Sequence, residues 1–452
     1  MTPLERRAAI SAAGLFALRM IGLFMILPVF ALYGESLEGS TPLLIGLAIG
    51  IYGLTQALLQ IPFGMLSDRF GRKLMIAIGL LIFAAGSVVA AMSDSIVGVI
   101  IGRALQGGGA IAAVIMAMTA DLTREEHRTK AMAMIGMTIG SAFAISLAMG
   151  PVLNNWIGVD GIFWLTAVLA LLGLVLLEYG VPKIEKCGFH RDAEASPSQF
   201  KDVLKDSQLL RLDFGIFILH MILTASFVVM PLALRDHTGI EVSDHWQIYL
   251  SVMILSFIGF VPLVILAEKY RKMKQVFVTA TILIGLAQAI LVFAIDSFWA
   301  VFVTLLLFFI AFNALEATLP SWISKTAPAD KKGTAMGVYS SSQFFGAFCG
   351  GLIGGWIHQH FGLEMVFLFC AMSAGVWGLV AVGMKVPPHL MTYMINVGAV
   401  DSIKATTLEE ELRSLAGVAE VVVVSENGVA YLKVDNEAVD WDSLYTYSID
   451  ER

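Results

Sequence analysis

Long apolar stretches alternate with short polar ones over most of the first 385 residues, a pattern that predicts membrane-spanning helices. A helix needs about 20 apolar residues to cross a hydrocarbon core of roughly 30 Å. Twelve stretches meet this length, six before and six after a long polar connection. The predicted spans are 8–33, 42–66, 74–93, 96–119, 130–154, 160–180, 211–234, 245–267, 275–294, 297–323, 334–356 and 363–384.

The polar segments divide the chain into domains. Residues 181–210 form a mixed-charge linker between a six-helix bundle at 1–180 and a second at 211–385. From 391 to 452 the apolar character ends, and the pattern predicts strand, helix and two strands, followed by a second helix. We predict an acidic, soluble α/β domain of ferredoxin-like type there.

Composition and charge place this chain in a membrane and orient it. Hydrophobic residues make up 58% of the chain and charged residues 14%, against roughly 25% charged in soluble domains. Of the 29 Lys and Arg, 22 fall on one side of the predicted spans, whereas only Arg235 falls on the other. Because positive residues favour the cytoplasmic side, we expect a multi-pass protein of the bacterial inner membrane whose amino terminus and final domain are cytoplasmic.

The two bundles are related by an internal repeat. "IPFGMLSDRFGRK" from Ile61 aligns with "VPLVILAEKYRKM" from Val261, so Asp68 corresponds to Glu268 and Arg69 to Lys269. Two six-helix halves related in this way predict parallel repeats, with a substrate site near the membrane midplane between them.

The segment "GMLSDRFGRK" resembles the signature G-x-x-x-D-R-x-G-R-K between helices 2 and 3 of the major facilitator superfamily. The matching residues are Gly64, Asp68, Arg69, Gly71, Arg72 and Lys73. "GRALQGGGA", which contains Arg103, is similar to the family's helix 4 motif. The antiporter motif of helix 5 is present only in weakened form, since Asn154 and Asn155 stand where two glycines are usual. The resemblance implies an all-α polytopic fold of twelve helices in two bundles, and transport by alternating access.

Asp68 ends a helix that runs towards the cytoplasm, where the helix dipole disfavours an anion. We expect it to pair with Arg72 and with the amino end of helix 11, which offers free N–H groups. Gly64 is expected to permit close helix approach. The family resemblance implies that Asp121 joins this latch between the halves. The alternative is that the basic residues only set orientation.

The internal repeat predicts a second latch in the other half. Glu268 and Lys269 occupy the positions that match the first latch, and we expect them to face helix 5 near Lys130.

Four ionisable residues of the predicted spans are candidates for functional sites, because a charge inside the membrane is costly and usually functional. Glu316 is the first candidate for the proton-coupling site and His220 the second, the alternatives being a permanently ionised carboxylate and a packing histidine. We expect Arg19 to face the cavity and bind an anionic substrate or a carboxylate. The helix 4 resemblance implies a proton-transfer role for Arg103, which could otherwise reach the interface.

Other polar residues in the spans are candidates for the substrate cavity, together with 22 Met and 28 Phe that suit varied amphiphilic compounds. The polar candidates are Asn313, Gln343 and Asn154. Most of the Met and Phe side chains are expected only to pack or to face lipid.

These features predict proton-coupled efflux of small amphiphilic, drug-like molecules. Proton-coupled uptake of a sugar or organic acid is an alternative, favoured if Arg19 binds a substrate anion, and a non-transporting sensor is another. No nucleotide-binding, hydrolytic or redox motif is present, so we expect no enzyme, metal, cofactor or nucleic-acid partner. The partners expected are lipid, protons and a small molecule. The final domain is expected to dock on cytoplasmic loops, to self-associate, or to act as an independent appendage.

Overall fold

The computed structural model describes residues 1–183, 194–386, 390–398, 401–425, 428–435 and 438–449. These residues form a large helical part and a small α/β domain at the carboxyl end. This architecture confirms the fold class predicted from the sequence.

The amino-terminal half contains seven helices in the described part of the chain. Two predicted spans are each broken into two helices, and spans 5 and 6 share one helix that is interrupted at Gly158, where a φ of 69° favours glycine. The helices are α1 (Pro3–Phe24), α2 (Phe30–Gly34), α3 (Pro42–Phe70), α4 (Arg72–Ala91), α5 (Ile96–Gly108), α6 (Ala112–Leu122) and α7 (Glu125–Tyr179).

The carboxy-terminal half follows the linker, of which residues 184–193 lie outside the described part. A short helix, α8 (Phe200–Val203), precedes the six long ones. These are α9 (Ser207–Asp236), α10 (His245–Glu268), α11 (Met273–Ala294), α12 (Phe298–Thr326), α13 (Lys332–Phe361) and α14 (Leu363–Val382).

Ten of the described helical segments are long and apolar enough to cross a membrane. One of them is α7, which accounts for two predicted spans. The helix α13 is not among the ten, because Gly, Ser and Gln in "GVYSSSQFFGAFCGG" lower its hydropathy. Dividing α7 and adding α13 gives the twelve spans that the sequence predicts.

Polar caps fix where several helices begin. Thr2 accepts a hydrogen bond from the backbone of Glu5, whose side chain accepts one in return, so α1 starts with a capping box. Thr41, Asp206 and Ser297 cap α3, α9 and α12 through their side-chain oxygens. The membrane helices are therefore delimited by local chemistry as well as by hydropathy.

The two halves meet closely along α3 and α13. A Cβ atom added at Gly351 would lie 2.4 Å from the carbonyl oxygen of Gly46 and 2.9 Å from the Cα of Gly50. One added at Gly355 would lie 3.1 Å from the Cα of Gly46. Each helix thus presents two glycines four residues apart, which lets the backbones touch.

The carboxy-terminal domain is a three-stranded antiparallel sheet in the order β1-β3-β2 with two helices. Its elements are β1 (Met391–Asn396), α15 (Ser402–Ser414), β2 (Val418–Val424), β3 (Val429–Val434) and α16 (Trp441–Tyr445). After α16 the backbone N–H of Ile449 donates to the carbonyl of Asn396 at 2.8 Å, so the chain returns to the free edge of β1. The predicted turn residue Asn427 lies outside the described residues.

We predict that Gly351→Ala destabilises the protein by about 1–3 kcal/mol, because the new methyl group must displace backbone of α3. Gly375→Ala is the matched control, since no atom lies within 4 Å of its added Cβ. Alanine there is expected to be neutral or slightly stabilising. Thermal unfolding in detergent measures both. Equal melting temperatures for the two variants would contradict the close contact of α3 and α13.

Candidate functional site

Arg72 is the centre of a buried ionic cluster where α3 ends and α4 begins. Its guanidinium donates to Asp121 at 2.9 Å, to Glu194 at 2.8 Å and to the hydroxyl of Ser67 at 2.6 Å. It also donates to Asp68. The Arg72 and Asp121 side chains are 0% exposed. Charge-assisted hydrogen bonds of this kind are the strong ones in proteins.

Gly71 places Arg72 in this position. The helix α3 stops and α4 starts at this residue, whose φ of 95° is unfavourable for any residue with a side chain. Lys73 donates to the carbonyl of Val181 at 2.9 Å and so joins α4 to the end of α7. Arg69 is exposed and lies over the ring of Phe70. Of the three basic residues in the motif, Arg72 is thus the one that enters the cluster.

Asp68 is placed only partly as predicted: it forms the expected pair with Arg72, but none of the contacts described for it reaches the start of α13. Its carboxylate pairs with Arg72 of its own half and its side chain is 37% exposed, whereas the start of α13 is contacted by the linker. The expected role of Gly64 is also wrong: an added Cβ would lie 3.5 Å from Ala113, an ordinary contact that leaves room for alanine.

The linker binds the beginning of α13. The hydroxyl of Thr334 accepts from the backbone N–H of Ser196 at 2.9 Å and donates to the Gln199 side chain at 2.8 Å. Gln199 also donates to the carbonyl of Asp330 at 3.1 Å. Unpaired groups at a helix start are commonly satisfied by such nearby polar groups.

An exposed ion pair extends this contact. Lys331 donates to Asp202 at 2.8 Å, and this hydrogen bond and charge hold the pKa of the Asp202 carboxyl below its ordinary value. The pair therefore stays charged at neutral pH.

The second latch predicted from the repeat is not formed. Glu268 accepts from Ser321 at 2.6 Å and from Lys325 at 2.5 Å, both on α12 of its own half. It therefore does not face Lys130 across the two halves. Lys269, just beyond α10, is exposed. The repeat relates the helices, but a nearer cation on α12 decides the pairing of this carboxylate.

Three predicted residues meet between α9, α12 and α13. Nε2 of His220 lies 3.5 Å from Oε1 of Glu316 and 2.8 Å from the amide nitrogen of Gln343. Nδ1 of His220 lies 3.3 Å from the carbonyl of Ile216. Because the Gln343 amide donates, Nδ1 carries the ring proton and Nε2 accepts.

Glu316 is only partly covered. Its side chain is 31% exposed, and its Oε1 atom makes no hydrogen bond within the described residues. A carboxyl with a free oxygen next to an imidazole can take up or release a proton without breaking other contacts. We call His220, Glu316 and Gln343 the central group.

Two more of the predicted cavity residues, Asn313 and Asn154, are not in the central group. Asn313 donates to Ser256 of α10 at 3.3 Å, one turn before Glu316 on α12. Asn154 lies within α7, four residues before the break at Gly158.

Arg19 and Arg103 both lie near the Tyr52 ring, with guanidinium carbons 5.8 and 5.3 Å from its centroid. Arg19 donates to the Tyr52 hydroxyl at 2.6 Å and also to Gln56. Arg103 donates to Gln106 at 2.9 Å and to the carbonyl of Ala48 at 3.3 Å. Both arginines are at most 4% exposed, so they lie within the amino-terminal half.

Aromatic rings connect that half to the central group. Phe143 of α7 stacks on Phe312 of α12 with centroids 5.7 Å apart, and Phe312 lies 5.8 Å from the His220 ring. The surroundings of the central group therefore combine an apolar aromatic wall with a few polar atoms, as small-molecule sites usually do.

At the end of the bundle away from the linker the halves also touch. Arg235 binds Glu35 at 2.6 Å, Asn155 donates to the carbonyl of Ser243 at 2.9 Å, and the backbone of Leu43 donates to Gln359 at 3.2 Å. Contacts between the halves thus occur at both ends of the bundle.

The carboxy-terminal domain contacts both halves at the linker end. Lys433 of β3 is 4% exposed and donates to the carbonyls of Lys325 and Thr326 at 3.1 and 3.4 Å, where α12 ends. Arg128 of α7 reaches the sulfur of Met394 in β1 at 3.8 Å. A cation at a helix carboxyl end is favourably placed.

Sequence reasoning missed several of these residues. Glu194 lies in a linker without hydrophobic period, so nothing in the sequence distinguished it. Tyr52 and Gln56 are one turn apart on α3, and their spacing could have indicated a polar face. Asp213, at the start of α9, is 6% exposed and its Oδ2 has no hydrogen bond among the described residues.

Comparisons with known proteins agree with this architecture. The family model of the Major Facilitator Superfamily matches residues 12–274 and 212–393. The inner membrane transport protein YajR of Escherichia coli (strain K12) is 49% identical over 444 residues, which cover 97% of this chain and 96% of that protein.

Two other similarities are more distant. Multidrug resistance protein 1 of Bacillus subtilis (strain 168) is 24% identical over 379 residues, covering 82% of this chain and 94% of that protein. The crystal structure of the human organic anion transporter MFSD10 (TETRAN) superposes with a TM-score of 0.62 at 18% identity, covering 84% of this chain and 100% of that one.

We predict that Arg72→Ala lowers the free energy of unfolding by about 3–5 kcal/mol, since it strands buried carboxylates that this guanidinium binds. Arg69→Ala is the control, because Arg69 is exposed. Its effect is expected to stay within about 0.5 kcal/mol. Thermal unfolding in detergent provides the comparison, and similar losses for both variants would argue against a special role for the Arg72 cluster.

Proposed function

The chain belongs to the major facilitator superfamily of membrane transporters, and from that premise we propose that it exports small amphiphilic molecules in exchange for protons. The observation that carries the proposal is the central group. It combines an acid and a histidine 3.5 Å apart with an aromatic wall contributed by both halves. A site at this position is reached from either side as the halves move.

The proposed coupling uses the two protonation states of Glu316. With a proton bound, the carboxyl is neutral and tolerates the closed, apolar surroundings of Phe312. Without the proton it is an anion that attracts a cationic or polar part of the substrate. Substrate and proton then compete for one site, which is the simplest basis for exchange. His220 either relays the proton or orients the carboxylate.

The proposed setting is the bacterial inner membrane with the linker end in the cytoplasm. The bias of Lys and Arg towards that end supports this orientation. The relative named inner membrane transport protein YajR supports the membrane. The relative named multidrug resistance protein 1 supports drug-like substrates, though at 24% identity.

Proton-coupled uptake of an organic acid is a second candidate, favoured by Arg19 and Arg103. These two buried guanidiniums lie near Tyr52 and bond to neutral groups within the described residues. If a substrate carboxylate reaches Arg19, the transported molecule is an anion. Transport of a labelled organic acid into vesicles would distinguish this candidate from efflux of a cationic dye.

We predict that Glu316→Gln reduces dye movement driven by a pH gradient at least tenfold in proteoliposomes, because the amide cannot exchange a proton. Loss in the glutamine variant alone assigns coupling to Glu316, whereas an equal loss in His220→Ala assigns it to the pair. Glu178→Gln, at the exposed end of α7, is the control and is expected to transport normally. Undiminished gradient-driven transport by Glu316→Gln would contradict the proposed coupling.

We predict that removing residues 391–452 changes the transport rate at least twofold while proton dependence is retained. The domain contacts α7 of one half and α12 of the other, so it must affect their relative movement. Rates in reconstituted vesicles provide the measurement. The same rate and the same proton dependence in the truncated protein would show that the domain is an independent appendage.

A further inference from the structure

The carboxylates around Arg72 differ in what they connect. Asp68 and Asp121 belong to the same half as Arg72, so their bonds hold that half together and do not cross to the other. Glu194 belongs to the linker, and its bond of 2.8 Å fixes the linker to the amino-terminal half. The Glu194 side chain is only 7% exposed, so this contact is a buried one.

The residues directly after Glu194 are fixed to the other half. Ser196 and Gln199 bind Thr334 at the start of α13, and Asp202 binds Lys331 just before it. Ala195 also packs against α13, since a Cβ added at Gly337 would lie 3.1 Å from its side chain. We call residues 194–202 the strap.

The strap is too short to hold both halves when they separate. From Glu194 to Ser196 the backbone spans at most about 7 Å, because an extended chain covers roughly 3.3–3.6 Å per residue. An opening that passes a ligand of the larger drug-like size is wider, since a pocket of about 1,000 Å³ is about 10 Å across. One of the two attachments must therefore break whenever the linker end opens.

The attachment to Arg72 is the one that can break without leaving the guanidinium unpaired. When Glu194 leaves, Arg72 still binds Asp68 and Asp121, so its charge is not stranded, and Glu194 itself passes into water. The attachment to α13 comprises several bonds, made by Ser196, Gln199 and Asp202, and must be lost as a group.

We propose that Glu194 is the detachable anchor by which the strap keeps the linker end closed. Opening of the linker end separates Glu194 from Arg72, and closing restores the bond. The proposal adds a gating residue to the transporter and does not depend on the substrate or on proton coupling.

The test measures the distance between the two halves at the linker end. Spin labels are attached at Lys130→Cys and Tyr270→Cys, both exposed positions, in full-length protein with Cys187, Cys349 and Cys370 replaced. Glu194→Gln is expected to raise the ratio of long-distance to short-distance populations about tenfold, the effect of losing one hydrogen bond to a charged group. Glu178→Gln, the same carboxyl-to-amide change at an exposed position near the end of α7 outside the strap, is the control and should change the ratio less than twofold.

A second variant separates tethering from charge. Inserting Gly-Ser-Gly-Ser between Glu194 and Ala195 keeps every side chain but lets both attachments persist in the open form. It is therefore expected to shift the populations as Glu194→Gln does. Unchanged populations in Glu194→Gln would overturn the proposal. A shift in Glu194→Gln without one in the insertion variant would also overturn it, since charge alone would then be responsible. Neither readout requires transport, so failure here is distinguishable from failure of the proposed function.

Discussion

The organisation of the linker end follows from the anionic partners that the buried guanidinium of Arg72 binds. Gly71 turns the chain so that Arg72 points inward, where it binds Asp121 of α6 and Ser67 of α3. These bonds fix the ends of α3, α4 and α6 together as one rigid unit. The same guanidinium then binds Glu194, which makes a rigid corner of one half the attachment point for the chain that leads into the other.

The contact between α3 and α13 limits how the two halves can move within the membrane. Their paired glycines bring the backbones into contact and leave the halves little freedom to slide. The central group lies on the far side of α13, where Gln343 reaches His220. Phe143 of the other half stacks on Phe312 beside this group, so a movement of one half against the other changes the surroundings of Glu316. We propose this contact as the connection between gating at the ends and protonation at the centre.

Hydropathy and motif spacing predicted the two bundles and the family resemblance, because length and helical period determine these features. His220, Glu316 and Gln343 were each predicted as separate candidates, and only the structure brought them together. The fold class and the family were confirmed. Side-chain pairing was harder to predict. Glu268 pairs with Lys325 on the neighbouring helix α12, and the internal repeat gives no indication of this partner. The glycine contact of α3 and α13 was visible as two G-x-x-x-G patterns in the sequence but was overlooked. The contact of Glu194 with Arg72 could be seen only in the structure, because a linker has no hydrophobic period that would distinguish one of its residues.

The most direct test of the account is to measure distances at both ends of the bundle in one protein while pH is lowered. Labels at Lys130 and Tyr270 report the linker end, and labels at Met92 and Trp299, which are 71% and 70% exposed, report the opposite end. If the halves rock about the α3 and α13 contact, one distance lengthens as the other shortens. Two distances that stay constant, or that change in the same direction, would contradict the account.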